Sequence, residues 1–131
     1  MYELDGQVAL ITGAGGEQGI CRAIALRLAK EGADLVVNDI VKTPYSDSDW
    51  RGLSDLVDEI KAMGRRAISI VADVGDETQV KTMVSEALTS MGRIDILVNN
   101  AGTLAGRDRV PVVELDVAAW DQVQRVNLRG T

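Results

Sequence analysis

Apolar positions along this chain follow two rhythms: short unbroken runs, and longer stretches with an apolar residue every third or fourth position. Gln7 to Thr12 is the first run, and its continuous apolar character predicts a strand buried on both faces, as in a parallel sheet. The period then lengthens. Ile20, Ala23, Ile24 and Leu28 predict a helix from about Ile20 to near Glu31, with Gly32 placed to cap its C-terminus. Asp34 to Asn38 predicts a second strand, closed by Asp39. Ile40 to Asp49 holds Pro44, two serines and two aspartates and predicts a loop, a long one for an α/β connection. Trp50 to Met63 predicts a helix with Leu53, Leu56, Val57, Ile60 and Met63 on one stripe, stopped by Gly64. Arg66 to Ala72 is the third strand, followed by Asp73-Val74. Asp76 and Gln79 form an aspartate version of a capping box. The helix they open carries Val80, Met83, Val84, Ala87, Leu88 and Met91 and ends at Gly92. Ile94 to Val98 is the fourth strand, with Asn99-Asn100-Ala101-Gly102 directly after it. Thr103 to Leu115 reads as irregular, and Asp116 caps a last helix carrying Val117, Trp120 and Val123.

Strands alternating with helices imply an α/β fold with a parallel sheet covered on both faces. Right-handed crossovers leave few topologies. In the doubly wound form the strand order is 3-2-1-4, and ligands bind at the carboxyl ends of the strands, where the order switches between strands 1 and 4. The Gly13–Ile20 turn, Asp39, Asp73 and Asn99 each fall at such an end. With strand 4 at the edge, Ile94 to Val98 and the helix of Trp120 are left needing a covering partner.

Composition narrows the chemistry. The 131 residues are 46% apolar and 26% charged, with a net charge of −6, which reads as one globular domain. The negative charge disfavours nucleic acid and anionic membranes as partners. No histidine is present, so a histidine base, a Ser–His pair and a histidine-ligated metal are excluded within this chain. Cys21 is the one cysteine, which forbids an internal disulfide and fits a reducing compartment. No apolar run is long enough to span a membrane, and the start lacks the pattern of a signal peptide, so cytoplasm is the expected location.

The candidate chemistry begins at the glycine-rich turn. Strand, glycine turn and helix in succession place unpaired N–H groups and the positive end of a helix dipole beside bare backbone, a natural seat for a diphosphate. Asp39, about 26 residues past Gly13, can accept two hydrogen bonds from an adenosine ribose diol and would repel a 2′-phosphate. Glu17 in the turn argues the same way, for NAD over NADP, while Lys42 reads as a loop charge. Asp73 can meet an adenine amino group, and the Val74 backbone the ring.

Thr12-Gly13 with Gly19-Ile20, Asp39, Asp73-Val74, Asn99-Asn100-Ala101-Gly102 and Val126-Asn127-Leu128 together resemble the short-chain dehydrogenase/reductase family. The resemblance covers nearly the whole chain, and Gly92 to Gly102 is its most specific part. It implies a Rossmann-type sheet in which Gly13, Gly19 and Ile20 line the diphosphate of NAD, Asp39 holds the adenosine ribose, and Asp73 and Val74 hold adenine. It places Asn99, Ala101 and Gly102 beside the nicotinamide ribose and makes Asn127 a catalytic asparagine on a kinked helix. It also implies an alcohol or ketone substrate and a homo-oligomer, dimer or tetramer.

Two features depart from the family pattern. Five residues separate Gly13 from Gly19, two more than usual, and Cys21 stands where the last glycine is expected. Assigning the excess to the loop keeps the helix stripe in place, whereas the alternative, with Glu17 in the middle glycine's place, shifts the stripe by two. Cys21 packs as a small hydrophobe, and a thiol near a helix N-terminus could also carry a lowered pKa and a redox role. The larger departure is the absence of the family's acid/base tyrosine with its lysine: neither Tyr2 nor Tyr45 begins Tyr-x-x-x-Lys. Residues 1–131 therefore read as the NAD-binding, N-terminal part of a longer single-domain oxidoreductase, truncated after the helix that follows strand 4. The competing readings are a nucleotide-binding module without catalysis, and another nucleotide-binding α/β protein such as a methyltransferase. The Asn99–Gly102 run and Asn127 disfavour the last.

Overall fold

The structure, a computed structural model, describes residues 3–103 and 110–131. Met1-Tyr2 and residues 104–109, half of the stretch expected to be irregular after Thr103, lie outside the described residues. Four strands, β1 (Val8–Ile11), β2 (Asp34–Asp39), β3 (Ala67–Val71) and β4 (Ile96–Val98), form one parallel sheet ordered β3-β2-β1-β4. Helices α1 (Ile20–Lys30), α2 (Leu53–Ala62) and α3 (Glu77–Met91) make the crossovers. A 3₁₀ turn (Val112–Glu114) precedes α4 (Val117–Val123), which runs on as a π-helical segment, Gln124–Arg129.

Strand β1 is buried at every position, and alternate side chains enter different cores. Ala9 and Ile11 face α1 and α2, together with Leu35 and Val37, while Val8 and Leu10 join Val36 on the side of α3. Cys21, Ala25 and Ala29 give α1 a small-residue face against the sheet, whereas α2 fills the same layer with Leu53, Leu56 and Ile60. Both the central position and the continuous apolar run of β1 follow from burial on two faces. The caps behave as their sequences require. The Asp76 carboxylate accepts the N–H groups of Thr78 and Gln79, and Gly92 ends α3 in the left-handed region at φ 87°. The Gln79 amide oxygen accepts the N–H of Asp73 rather than that of its cap residue, whose N–H goes to the Asp73 carbonyl.

Three details of the periodic reading change. The helix expected from Trp50 starts only at Leu53, because Gly52 (φ 66°, ψ −127°) turns the chain just before it. Met63 and Leu88, counted as core, are 42% and 44% exposed, and β4 is shorter than expected. Among the described residues no strand lies beyond β4 in this sheet; Leu97 is 54% exposed, and Trp120 on α4 is 51% exposed.

Asp34, buried at the start of β2, fastens the opposite end of the sheet from the candidate site. It accepts the Arg66 N–H at 2.9 Å and the Arg66 Nε at 2.7 Å, with Arg65 Nε at 3.5 Å. Burial raises its pKa, but the Arg66 N–H and guanidinium, with Arg65, outweigh this and hold the carboxyl below its ordinary value. The stabilisation is present above the unfolded carboxylate value near ~4 and is lost as pH falls through the lower folded value. Asp34→Ala is expected to cost about 1–3 kcal/mol at neutral pH. Its urea midpoint should fall less steeply than that of the parent as pH drops below 4, and parallel pH profiles would reject this role.

Candidate nucleotide site at the strand ends

The register sets the site. Ile11 lies beside Val37 on one side and Val98 on the other, so β1 and β4 end level while β2 runs two residues further to Asp39, and all three release their next residues onto one edge. Thr12 ties this edge together. Its Oγ1 accepts the N–H groups of Asn100 and Ala101, each at 3.1 Å, and donates to the Val98 carbonyl at 3.4 Å. The Asn100 side-chain amide donates back to the carbonyls of Thr12 and Gly13 at 3.1 and 3.2 Å. Gly13 is left-handed at φ 69°, and a Cβ there would stand 2.7 Å from the Cα of Ala101. Both the positive φ and the close backbone approach demand glycine.

Beyond Gly13 the chain makes a turn closed by Gly19 N–H on the Gly16 carbonyl at 3.3 Å, with Glu17 and Gln18 exposed at its tip. The two extra residues therefore sit in the loop, and α1 opens at Ile20. Gly19 caps this helix without a side-chain hydrogen bond, and no acid lies in its first turn. Ile20 is 74% exposed there. Cys21 is 3% exposed, and its thiol donates to the Gly13 carbonyl at 2.7 Å. Burial, the largest influence, pushes its pKa up. The expectation of a lowered thiol pKa is thus corrected: the packing of α1 against the sheet outweighs the helix terminus, and Cys21 serves as a buried spacer with one hydrogen bond.

Asp39 ends β2 with its carboxylate held by two backbone N–H groups, Gly15 to Oδ2 at 2.8 Å and Ile40 to Oδ1 at 2.7 Å. The next residue back, Asn38, is buried and bolts β2 to β3 by donating to the carbonyls of Ile70 and Ala72 at 3.0 and 3.1 Å. Asp73 is also engaged. Its Oδ1 accepts the Gly75 N–H and its Oδ2 pairs with the Arg125 guanidinium, both at 2.8 Å. Arg125 belongs to the π-helical segment and lies over Gly75, where a Cβ would collide with it. In the same segment Asn127 accepts the Thr103 N–H on Oδ1 at 2.8 Å. A π-helical turn is a recurrent device at functional sites, and Asn127 lies within this one.

These ends enclose a cleft of about 260 Å³. Of the residues expected at the site, Gly13, Asp39, Asp73, Val74, Ala101 and Gly102 line it, along with Asn38, Ile40, Thr103 and Val126. Gly19, Ile20 and Asn99 lie outside this lining; Asn127 reaches it through Thr103. Periodicity does not single out Asn38, Trp50 or Arg125. Asn38 has a weak signal, a polar residue inside an apolar strand run; Arg125 has none, since its partner is 52 positions away. Among the described residues no group of three or more histidine, cysteine, aspartate or glutamate side chains could hold a metal, and no helix is long and apolar enough to cross a membrane.

The family model described as short chain dehydrogenase matches residues 7–131. The chain is 42% identical over 123 residues to a short-chain dehydrogenase/reductase, eriH, of Hericium erinaceus, covering 94% of this chain and 45% of that one. Among solved structures it resembles an NAD+-bound xylitol dehydrogenase, at a TM-score of 0.83 and 32% identity over 98% of this chain and 45% of that one. It also resembles a blue fluorescent protein from a metagenomic library in complex with NADPH, at a TM-score of 0.81 and 37% identity, covering 98% of this chain and 48% of that one. The chain thus spans about half the length of the relatives it matches. A family match over almost every residue, on a sheet ordered β3-β2-β1-β4 with a glycine turn at its switch point, means that this chain belongs to the short-chain dehydrogenase family.

Proposed function

We propose that the protein is an oxidoreductase that transfers hydride between NAD(H) and an alcohol/carbonyl pair, with this chain as its cofactor-binding part. The observation that carries the cofactor choice is the Asp39 carboxylate, fixed on the Gly15 N–H at the rim of the cleft. A fixed carboxylate accepts from a ribose diol and repels a 2′-phosphate. The residues present fit a dinucleotide. Gly13 allows backbone approach that a Cβ would block, and α1 presents a first turn without a capping side chain or an acid, which suits a diphosphate. In this reading Gly13, Gly19 and Ile20 lie along the diphosphate. Asp39 takes the adenosine ribose, Asp73 and Val74 flank adenine, and Asn99, Ala101 and Gly102 pass the nicotinamide ribose. NAD supplies the hydride acceptor when bound. Asn127, held against Thr103, is assigned to the proton path, and the acid/base tyrosine and lysine to residues outside this chain. The exposed apolar side chains of β4 and α4 support coverage by further protein, both the rest of the enzyme and a second copy in a homo-oligomer. The single buried cysteine suits the cytoplasm.

Titration of the complete protein with both dinucleotides tests this. NAD(H) should bind more tightly than NADP(H). Asp39→Ala should cost roughly 1.5–3 kcal/mol of NAD binding, or tenfold or more in affinity. Tighter binding of NADP(H) by the unaltered protein would sink the reading.

A further inference from the structure

Trp50 lies ahead of α2, 8% exposed, behind the glycine turn. Its only polar atom, the indole Nε1–H, donates to the Gly15 carbonyl at 2.8 Å in a buried hydrogen bond. The N–H of the same glycine holds Asp39 Oδ2, also at 2.8 Å. Gly15 is therefore pinned on both sides, by Trp50 through its carbonyl and by Asp39 through its amide. The indole is itself held: the Arg22 guanidinium lies 5.2 Å from the ring centroid and is fastened to Glu59 of α2 at 2.9 and 2.6 Å. No space is spare at Gly15, where a Cβ would stand 2.9 Å from Asp39 Oδ2 and 3.4 Å from Pro44 Cγ.

We infer that Trp50 is a positioning residue for dinucleotide discrimination: its indole N–H sets the Gly15 peptide that fixes the Asp39 carboxylate. The inference rests on the NAD reading above. A carboxylate fixed by a backbone N–H cannot swing aside to admit a 2′-phosphate, and it is already arranged for two ribose hydroxyls. Removing the indole donor leaves a buried carbonyl without a partner. The turn then relaxes to find one, and the N–H on Asp39 shifts with it. The long loop after Asp39 thereby gains a purpose, since it delivers Trp50 beneath the turn from 35 residues away.

Trp50→Phe in the complete protein tests this, because it keeps an aromatic ring under Arg22 while removing the donor. Dissociation constants for NAD and NADP are measured by calorimetry, with thermal melting to confirm folding. The expected result is about a tenfold weaker affinity for NAD with NADP nearly unchanged, the scale of a ribose hydrogen bond that the displaced Asp39 carboxylate no longer accepts. Gly15→Ala, which crowds the carboxylate without removing the Trp50 bond, should compress the NAD-to-NADP ratio in the same direction. It decides the matter if Trp50→Phe does not fold. In an Asp39→Ala background neither change should alter the ratio further. A purely structural role would weaken both dinucleotides alike. An unaltered protein that prefers NAD, with the ratio within twofold in the folded variants, would overturn the positioning role and leave the NAD reading intact. An unaltered protein that prefers NADP would remove the reading and the inference together.

Discussion

Gly13→Ala should lower the unfolding free energy by about 2–5 kcal/mol and abolish tight dinucleotide binding. Two effects add. At φ 69° an alanine is strained by about 1–2 kcal/mol. Its Cβ would then stand 2.7 Å from the Ala101 Cα and 3.1 Å from the Ala101 nitrogen. Both are backbone atoms and cannot rotate away, so the strand ends must part, at an overpacking cost of roughly 1–3 kcal/mol. Gly64→Ala supplies the control, with a comparable φ of 82° and nothing within 4 Å of its Cβ. Urea denaturation of both variants separates strain from contact. If Gly13→Ala costs no more than Gly64→Ala, the approach of the first turn to the end of β4 does not hold the site together.

The second large effect concerns Asn127. Asn127→Ala in the complete enzyme should reduce kcat by about 100-fold, the lower end of what a positioned proton-transfer group contributes, with NAD affinity within twofold. The π-helical segment places Val126 in the cleft wall and Asn127 on the Thr103 backbone, donor and acceptor facing at 2.8 Å. Steady-state kinetics alongside dinucleotide titration makes the check. A loss confined to NAD affinity would assign Asn127 to the cofactor site or to the support of residue 103 instead.

Both predictions depend on contacts between segments far apart in the chain. Gly13 meets Ala101, and Asn127 meets Thr103. The sequence marks each of these positions without showing the contact. Gly13 stands where an apolar run gives way to a helical period, and Asn127 stands in a Val-Asn-Leu triplet shared with a family. The strand ends were legible for a physical reason. The central strands β1 and β2 are buried on both faces of the parallel sheet, so each is a continuous apolar run with a sharp polar end. Those ends define the site edge.

Trp50 shows where that legibility stops. It falls in register with Leu53, Leu56, Val57 and Ile60, so periodicity reads it as one more helix residue. Only the turn at Gly52 and the acceptor on Gly15 remove it from the helix and set it beneath the glycine turn. Asp73 is similar. Its position at the end of β3 is written in the apolar pattern, but its pairing with Arg125 depends on how the last helix crosses the edge. The Cys21 thiol likewise takes its raised pKa from the depth at which α1 seats on the sheet. Sequence alone determined the alternation of strands and helices, the sheet order that right-handed crossovers permit, and the edge that carries the site. Each follows from which faces must leave water. The tertiary structure alone decided which donors meet which acceptors on that edge, because loop paths and helix seating bring together residues whose local patterns carry no record of one another.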